Sequence, residues 1–301
     1  MVCSPGHQAA GIPRPHGPGK ARGYYDGDRD AAAFPYPLAA HRTWGGFDWM
    51  TATVGGLWDS LLAEGRPWWV TANSDSHEVY GDTSVRGTAN EFSVDGRHAD
   101  PVHGGRPAVD VSDFWPGCYS RTHVGATDFS YAAVMNGLRA GRVWVDHGGL
   151  ISALDMRLNG IPLGGTLHVP RGTPVELTIG ITLANGPNWA QFEPVLERVD
   201  VIQGDVTGPV ADRDAFRAAG TRVVRTFQVR ESRGRVELRY SLGALEKPVY
   251  VRVRGTDGNR YATGFHGAAV DPAGPAVDLD GDADPWQDLW FYSNPIWALP
   301  Y

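Results

Sequence analysis

The sequence has little of what marks several common protein classes. Two of its 301 residues are cysteines, so a disulfide framework and a cysteine-rich zinc cluster are both excluded, although one disulfide could form. The net charge is −7 and no run of about five basic residues occurs, which argues against nucleic acid as a partner. No apolar run reaches the roughly 18 residues of a membrane span, so we expect no membrane partner.

Familiar catalytic signatures are lacking as well. The sequence contains no Gly-x-x-x-x-Gly-Lys-Ser/Thr loop, no Gly-x-Ser-x-Gly elbow and no His-Glu-x-x-His pair. Chemistry that depends on nucleotides or on a serine nucleophile therefore has no support in the sequence.

The N-terminal residues lack the basic and apolar regions of a signal peptide. The sequence as written predicts a cytoplasmic protein, and secretion only if a further N-terminal segment precedes it. Because the chain runs at once into Pro5-Gly6-His7, as in the middle of a domain, we expect an open reading frame that is clipped at its start.

The second half of the chain predicts an antiparallel β-sandwich. After about residue 150, apolar residues alternate with polar ones between turn-forming residues, as in the stretches 175–181, 199–201, 223–229, 236–240 and 249–253. In the last stretch, Val251 and its apolar neighbours alternate with Tyr250, Arg252 and Arg254, which predicts a strand with one face in solvent. Several such strands favour a sandwich over residues 151–301.

The first half predicts two units of helix, glycine turn, strand and polar loop. A helix over 48–65 would end at Gly65 and precede a strand over 67–72. A second helix, capped by Ser130 and ending at Gly141, would bury Tyr131, Val134, Met135 and Leu138 and precede a strand at Val143–Val145. The stretch 78–129 shows little periodicity and predicts a long loop. Such units are typical of an α/β domain, here residues 1–150.

Asp75 and His77 follow the first of these strands and predict a metal site. A carboxylate and an imidazole two residues apart, at the end of a buried strand, can bind one divalent ion. The alternative is a polar turn in which Asp75 binds backbone amides. His7, after Pro5-Gly6, is a further candidate ligand, and its alternative is an exposed terminal histidine.

Other polar residues could serve catalysis or calcium binding. Arg121 and His123 lie in an aromatic stretch, where Arg121 could bind an anionic oxygen, unless both simply belong to a packed surface. His147, at a strand end, is a candidate for the rim of the site. The acidic residues between Asp278 and Asp284 could bind structural calcium, although a surface turn fits the pattern better.

Four segments together resemble the PHP (polymerase and histidinol phosphatase) superfamily, in particular its metallohydrolases related to carbaryl hydrolase. They are Leu57–Gly65, Asn73–His77, Ala140–Val145 and Leu289–Ile296. The resemblance implies that residues 1–150 are the C-terminal portion of a distorted β/α barrel, followed by the sandwich. It also implies a site for zinc, manganese or iron in which a metal-activated water hydrolyses a small-molecule ester, chiefly a phosphoester.

The resemblance matches Asp75 and His77 to the last metal motif of the family and His7 to an upstream ligand. Arg121 and His123 would face the substrate. The opening His-x-His of the family and its bridging glutamate are lacking, so we expect them before Met1. The alternative is a non-catalytic remnant, a β-sandwich binding module with a degenerate metal site. The sequence does not indicate an oligomeric state.

Overall fold

The protein, in a computed structural model, is built mostly from β-strands. The structure describes residues 2–3, 43–44, 47–48, 51, 54–72, 120–188, 193–211, 217–258 and 289–301. The strands are β1 (Val2–Cys3), β2 (Thr43–Trp44), β3 (Phe47–Asp48), β4 (Thr71–Ala72), β5 (Ser120–Val124), β6 (Val143–His147), β7 (Ile151–Leu158), β8 (Ile161–Pro162), β9 (Thr166–Val169), β10 (Pro174–Leu183), β11 (Leu196–Asp205), β12 (Arg222–Glu231), β13 (Arg235–Ala244), β14 (Val249–Thr256), β15 (Trp290–Ser293) and β16 (Ile296–Pro300). The helices are α1 (Leu57–Ala63) and α2 (Tyr131–Arg139).

A four-stranded antiparallel sheet forms one layer, in the order β13-β10-β7-β8. In β10 the alternating residues predicted from the sequence do alternate in burial, with Leu177, Ile179 and Ile181 almost completely buried. Ile179 lies opposite Leu238 on one neighbour and Met156 on the other. The period-two pattern of this strand is thus confirmed, and its apolar side faces the core.

A larger sheet forms the second layer, in the order β12-β11-β14-β15-β6-β5. β16 also pairs with β14, and it pairs in parallel with β9. The sheet includes β5 and β6, which precede residue 150, and it therefore extends across the predicted domain boundary. The division of the chain into two domains remains a prediction.

The two sheets enclose one apolar core. Ile179 and Met156 from the small sheet join Val201, Val251 and Phe291 from the large sheet in a single buried cluster. Removing such side chains from water is the main favourable term in folding. The described part of the chain is thus sandwich-like, with antiparallel sheets, as the second half of the sequence predicts. It contains no closed barrel, and the barrel expectation remains untested because residues 73–119 lie outside the described part.

Helix α1 covers the other face of the large sheet. Trp58 and Leu62 are fully buried and pack with Tyr250, Trp290 and other residues in a second cluster. The helix is followed by Gly65 at φ +78°, whose amide donates to the carbonyl of Leu62. The predicted glycine end of this helix is confirmed, because a positive φ favours glycine.

Helix α2 is capped as the sequence predicts and packs most closely through two small residues. The Ser130 hydroxyl accepts a hydrogen bond from the Ala133 amide at 3.2 Å. The fully buried residues of the helix are Ala133 and Gly137. Of the predicted apolar face, Val134, Met135 and Leu138 are partly buried, whereas Tyr131 is 83% exposed, so the prediction is wrong at Tyr131. A Cβ on Gly137 would lie 2.6 Å from the Gly125 carbonyl oxygen. Only small residues fit on this side of α2, because the helix lies directly on the chain that follows β5.

Two further expectations differ from the structure. Ser120–Val124 is a strand within the stretch predicted as loop, because its main chain pairs with all five residues of β6. β14 is buried along both faces instead of one, and Arg252 and Arg254 are completely buried. Buried carboxylates explain this, as described below. Neither helix in the described part of the chain is long and apolar enough to cross a membrane.

Candidate functional site

Asp146 on β6 is the centre of a charged cluster on the sandwich side of the large sheet. It lies opposite Arg121 on β5, which donates from Nε at 3.0 Å and from Nη2 at 2.7 Å to its two carboxylate oxygens. His123 Nε2 lies 2.6 Å from Asp146 Oδ1, and the His123 ring stacks on Trp144 with centroids 3.6 Å apart. Asp146 is fully buried, while Arg121 and His123 are partly exposed.

Ser120 and His147 form a separate pair on the opposite face of the same two strands. The Ser120 hydroxyl oxygen lies 2.7 Å from His147 Nδ1, and both residues are buried. Because neighbouring residues of a strand point to opposite faces, this pair lies across the sheet from Arg121 and Asp146. Burial lowers the pKa of His147 from 6.5 to about 3, against the opposing effect of the Asp146 carboxylate. The imidazole is therefore neutral at physiological pH, the form that binds metals.

β4 is held on the face that carries the Ser120–His147 pair. The Ala72 amide donates to Thr122 Oγ1 at 2.9 Å, and the Thr122 hydroxyl donates back to the Ala72 carbonyl at 2.7 Å. Two residues earlier, the Val70 amide donates to Asn294 Oδ1 at 2.7 Å. On this side of β4, the Thr122 and Asn294 side chains take the place of main-chain pairing with a neighbouring strand.

The direction of β4 follows from these two anchors. Asn294 lies beside Val143 at the start of β6, whereas Thr122 lies opposite Val145, two residues further along β6. β4 therefore runs along β6 toward the end that carries His147 and Ser120.

β1 is the parallel partner of β4. Val2 lies opposite Thr71 and Cys3 lies opposite Ala72. The carboxyl ends of the two strands are therefore adjacent at one edge. In the sequence, His7 comes four residues after Cys3, and Asp75 comes three residues after Ala72. The segments that carry the predicted ligands thus start from neighbouring points.

The predicted ligands themselves lie outside the described residues, as do the acidic residues between Asp278 and Asp284. This holds for His7, Asp75 and His77. Within the ranges that the structure describes, no group of three or more His, Cys, Asp or Glu side chains could hold a metal ion. The metal assignment remains a prediction.

The structure brings Arg121 and His123 together, as the sequence suggested, but on the face opposite to β4. Both bind the Asp146 carboxylate, which the sequence does not single out. Their role in catalysis remains a prediction. The signal that could have located the cluster is the register of the β5–β6 pair, which the sequence does not show.

A buried ion pair that no sequence pattern predicts attaches α1 to the sheet. Asp59 binds Arg252 through two hydrogen bonds of 2.8 and 2.7 Å, and both side chains are fully buried. Asp59 also accepts from the Gly55 amide and from the Tyr250 hydroxyl. Burial, together with the Asp59 carboxylate, raises the pKa of Tyr250, which remains a neutral donor.

A second buried charged group lies further along the same face. Asp200 on β11 is within 3.5 Å of Arg198 Nε and accepts from Arg254 Nε at 3.1 Å. Asp200 also accepts a hydrogen bond from the Thr226 hydroxyl at 2.8 Å. The guanidinium groups of both arginines lie within 6 Å of the Trp290 ring centroid, at 5.9 and 5.4 Å. This arrangement satisfies part of the charge that β14 buries.

The comparisons with known proteins add little to this geometry. No family model matches the chain, and no curated protein matches it. Among solved structures, a β-glucosidase from Listeria innocua is similar over 35% of this chain and 14% of its own, with 14% identity and a TM-score of 0.21. The match spans a small part of that protein, and a TM-score this low carries no argument about fold or function.

Proposed function

We propose that the protein is a metal-dependent hydrolase of the PHP type, acting on a phosphoester or similar small ester. His7, Asp75 and His77 would bind a divalent zinc, manganese or iron ion, since imidazole nitrogen and carboxylate oxygen both suit these metals. The parallel pairing of β1 with β4 is the observation that carries the proposal, because it starts both ligand segments from adjacent strand ends.

The reach of the chain supports this assignment. Paired strands lie about 4.8 Å apart, and an extended chain advances at most about 3.6 Å per residue. His7 is four residues from Cys3 and Asp75 is three from Ala72. The two segments are therefore short enough for their side chains to meet at one ion without any long connection.

The position of the Ser120–His147 pair supports a metal site at the same edge of the sheet. β4 runs toward it, and His147 is a buried, neutral imidazole whose Nδ1 contacts a hydroxyl. In this proposal the metal donors are His7, Asp75 and His77, and the pair lies at the edge toward which β4 runs. A bound divalent ion supplies Lewis acidity for ester hydrolysis and lowers the pKa of water.

Metal content tests the proposal directly. The full chain is purified, incubated with Zn²⁺ or Mn²⁺, freed of excess metal and analysed by mass spectrometry of the metal. We expect bound metal in the wild-type chain and roughly a tenfold or greater loss of metal affinity in Asp75→Ala/His77→Ala, because ligand sets tolerate removal poorly. Hydrolysis of bis-p-nitrophenyl phosphate is followed in parallel.

A matched control removes one aspartate and one histidine that are exposed elsewhere, Asp128→Ala/His168→Ala. This variant should match the wild-type chain in bound metal and in hydrolysis. Equal metal content in the two double variants would show that the Asp75–His77 assignment is wrong. A wild-type chain that binds no metal would leave the β-sandwich binding module as the better function.

A further inference from the structure

A cavity of about 590 Å³ lies between the chain that follows α1, the end of α2 and the turn after β8. Its wall includes Trp69, Trp297, Arg139, Arg142, Leu163 and Val206. None of these residues belongs to the Asp146 cluster or to the Ser120–His147 pair. The volume is within the range of about 300–1,000 Å³ that is usual for small-molecule sites. We call it the tryptophan pocket.

Two tryptophans form the aromatic corner of the tryptophan pocket. The rings of Trp69 and Trp297 meet edge to face, with centroids 5.5 Å apart and an interplanar angle of 64°. Trp69 is fixed further by a hydrogen bond of 3.1 Å from its indole nitrogen to the Arg139 carbonyl. Aromatic rings held in this way offer a rigid apolar surface to a flat ligand.

Two glycines allow the walls of the tryptophan pocket to pack closely together. Gly141 has φ +67°, and a Cβ there would lie 2.6 Å from the Trp69 ring. Gly164 has φ +76°, and a Cβ there would collide with the Ala140 carbonyl. Both positions need glycine for conformation and for space, so the end of α2 packs directly against Trp69 and the turn after β8.

Two arginines give the tryptophan pocket a positive charge. Arg139 and Arg142 line the pocket, and among the residues that the structure describes no aspartate or glutamate does. Arg142 Nε donates to the Gly125 carbonyl at 3.0 Å, a bond that uses neither of its terminal nitrogens.

We infer that the tryptophan pocket binds a small organic anion with a flat apolar body, of the aromatic carboxylate class. The ring would pack against Trp69 and Trp297. The carboxylate would pair with Arg139 or Arg142, because charged groups strengthen such hydrogen bonds. This inference does not depend on the proposed hydrolase activity.

The test is calorimetric titration of the full chain with 2-naphthoate and with its uncharged isostere 2-naphthamide. We expect naphthoate to bind and naphthamide to bind at least about tenfold more weakly, since only the carboxylate can pair with the arginines. Arg139→Gln/Arg142→Gln should reduce naphthoate binding to the level of naphthamide. The control Arg233→Gln/Arg239→Gln, which removes two exposed arginines outside the pocket, should bind like the wild type.

The arginine pair decides the test, because both arginines are at least partly exposed and their replacement leaves the core intact. The inference is overturned if neither probe binds at millimolar concentration, or if the pocket variant and the control bind naphthoate equally.

Discussion

The two faces of the large sheet differ in what they bury. On the sandwich side, Val251, Val253 and their neighbours meet apolar residues of the small sheet. On the other side the same strand buries Arg252 and Arg254, which bind Asp59 and Asp200. One face is apolar throughout its centre, while the other combines aromatic rings with buried charges.

The difference shows two ways of holding distant parts of a chain together. The apolar face gains free energy from burial without fixing which residue meets which. The charged face is specific, because Asp59 meets an arginine 193 residues later through two hydrogen bonds with defined geometry. Buried ion pairs add little net stability compared with apolar residues, but removing one partner is costly. We infer that the pair fixes the position of α1 on the sheet.

Removing one partner of the buried ion pair should lower the free energy of unfolding more than any other change considered. Asp59→Ala leaves Arg252 buried without its carboxylate, and the free energy of unfolding should fall by about 3–5 kcal/mol. The measurement is urea denaturation followed by tryptophan fluorescence. Asp155→Ala, which removes an exposed ion pair with Arg157, should cost less than about 1 kcal/mol.

The double variant Asp59→Leu/Arg252→Met replaces both charges with apolar side chains. This double variant should recover most of the stability that Asp59→Ala loses. If Asp59→Ala is no less stable than the Asp155→Ala control, the ion pair does not hold α1 in place.

Breaking the apolar face on the same strand should have a smaller effect. Val251→Ala removes two buried methyl groups, and the free energy of unfolding should fall by about 2 kcal/mol from lost burial and the remaining cavity. The same urea titration measures it. A loss as large as that of Asp59→Ala would remove the distinction between the two faces.

The smallest effect, taken per pH unit, concerns the Ser120–His147 pair. His147 has a pKa of about 3 in the folded protein and 6.5 when unfolded, so the unfolded state binds one more proton between these values. The stability that neutral His147 contributes is therefore lost as pH falls from 6.5 toward 3. The change is about 1.4 kcal/mol per pH unit.

His147→Asn should remove this part of the pH dependence. Urea denaturation of the metal-free chain at several pH values between 4.5 and 6.5 measures the slope for both proteins. Carboxylates contribute equally to each, so the difference between the slopes belongs to His147. Identical slopes would show that His147 is not buried in its neutral form.

The sequence predicts only part of the candidate site. The Asp-x-His at 75–77 can be seen in the sequence, and of the strand predicted over 67–72 the structure has Thr71–Ala72 as β4. That β1 lies beside β4 could not be seen, because the two strands are separated by nearly seventy residues and each is two residues long. The alternation of β5 could not be seen either, so the opposite facing of Arg121 and Thr122 is a finding of the structure.

The local sequence is enough to predict five strands of the second half, β10 to β14, and the C-terminal ends of the two helices. Alternation in β10 and the positive-φ glycine after α1 depend on neighbouring residues and on backbone sterics alone. Tertiary structure decided what each face meets. Arg252 and Arg254 look like solvent-facing residues in the sequence. The full burial of Arg252 is tolerated because Asp59, on a helix distant in the sequence, pairs with it. Burial of charge depends on a partner in space, and a pattern within one strand does not contain that partner.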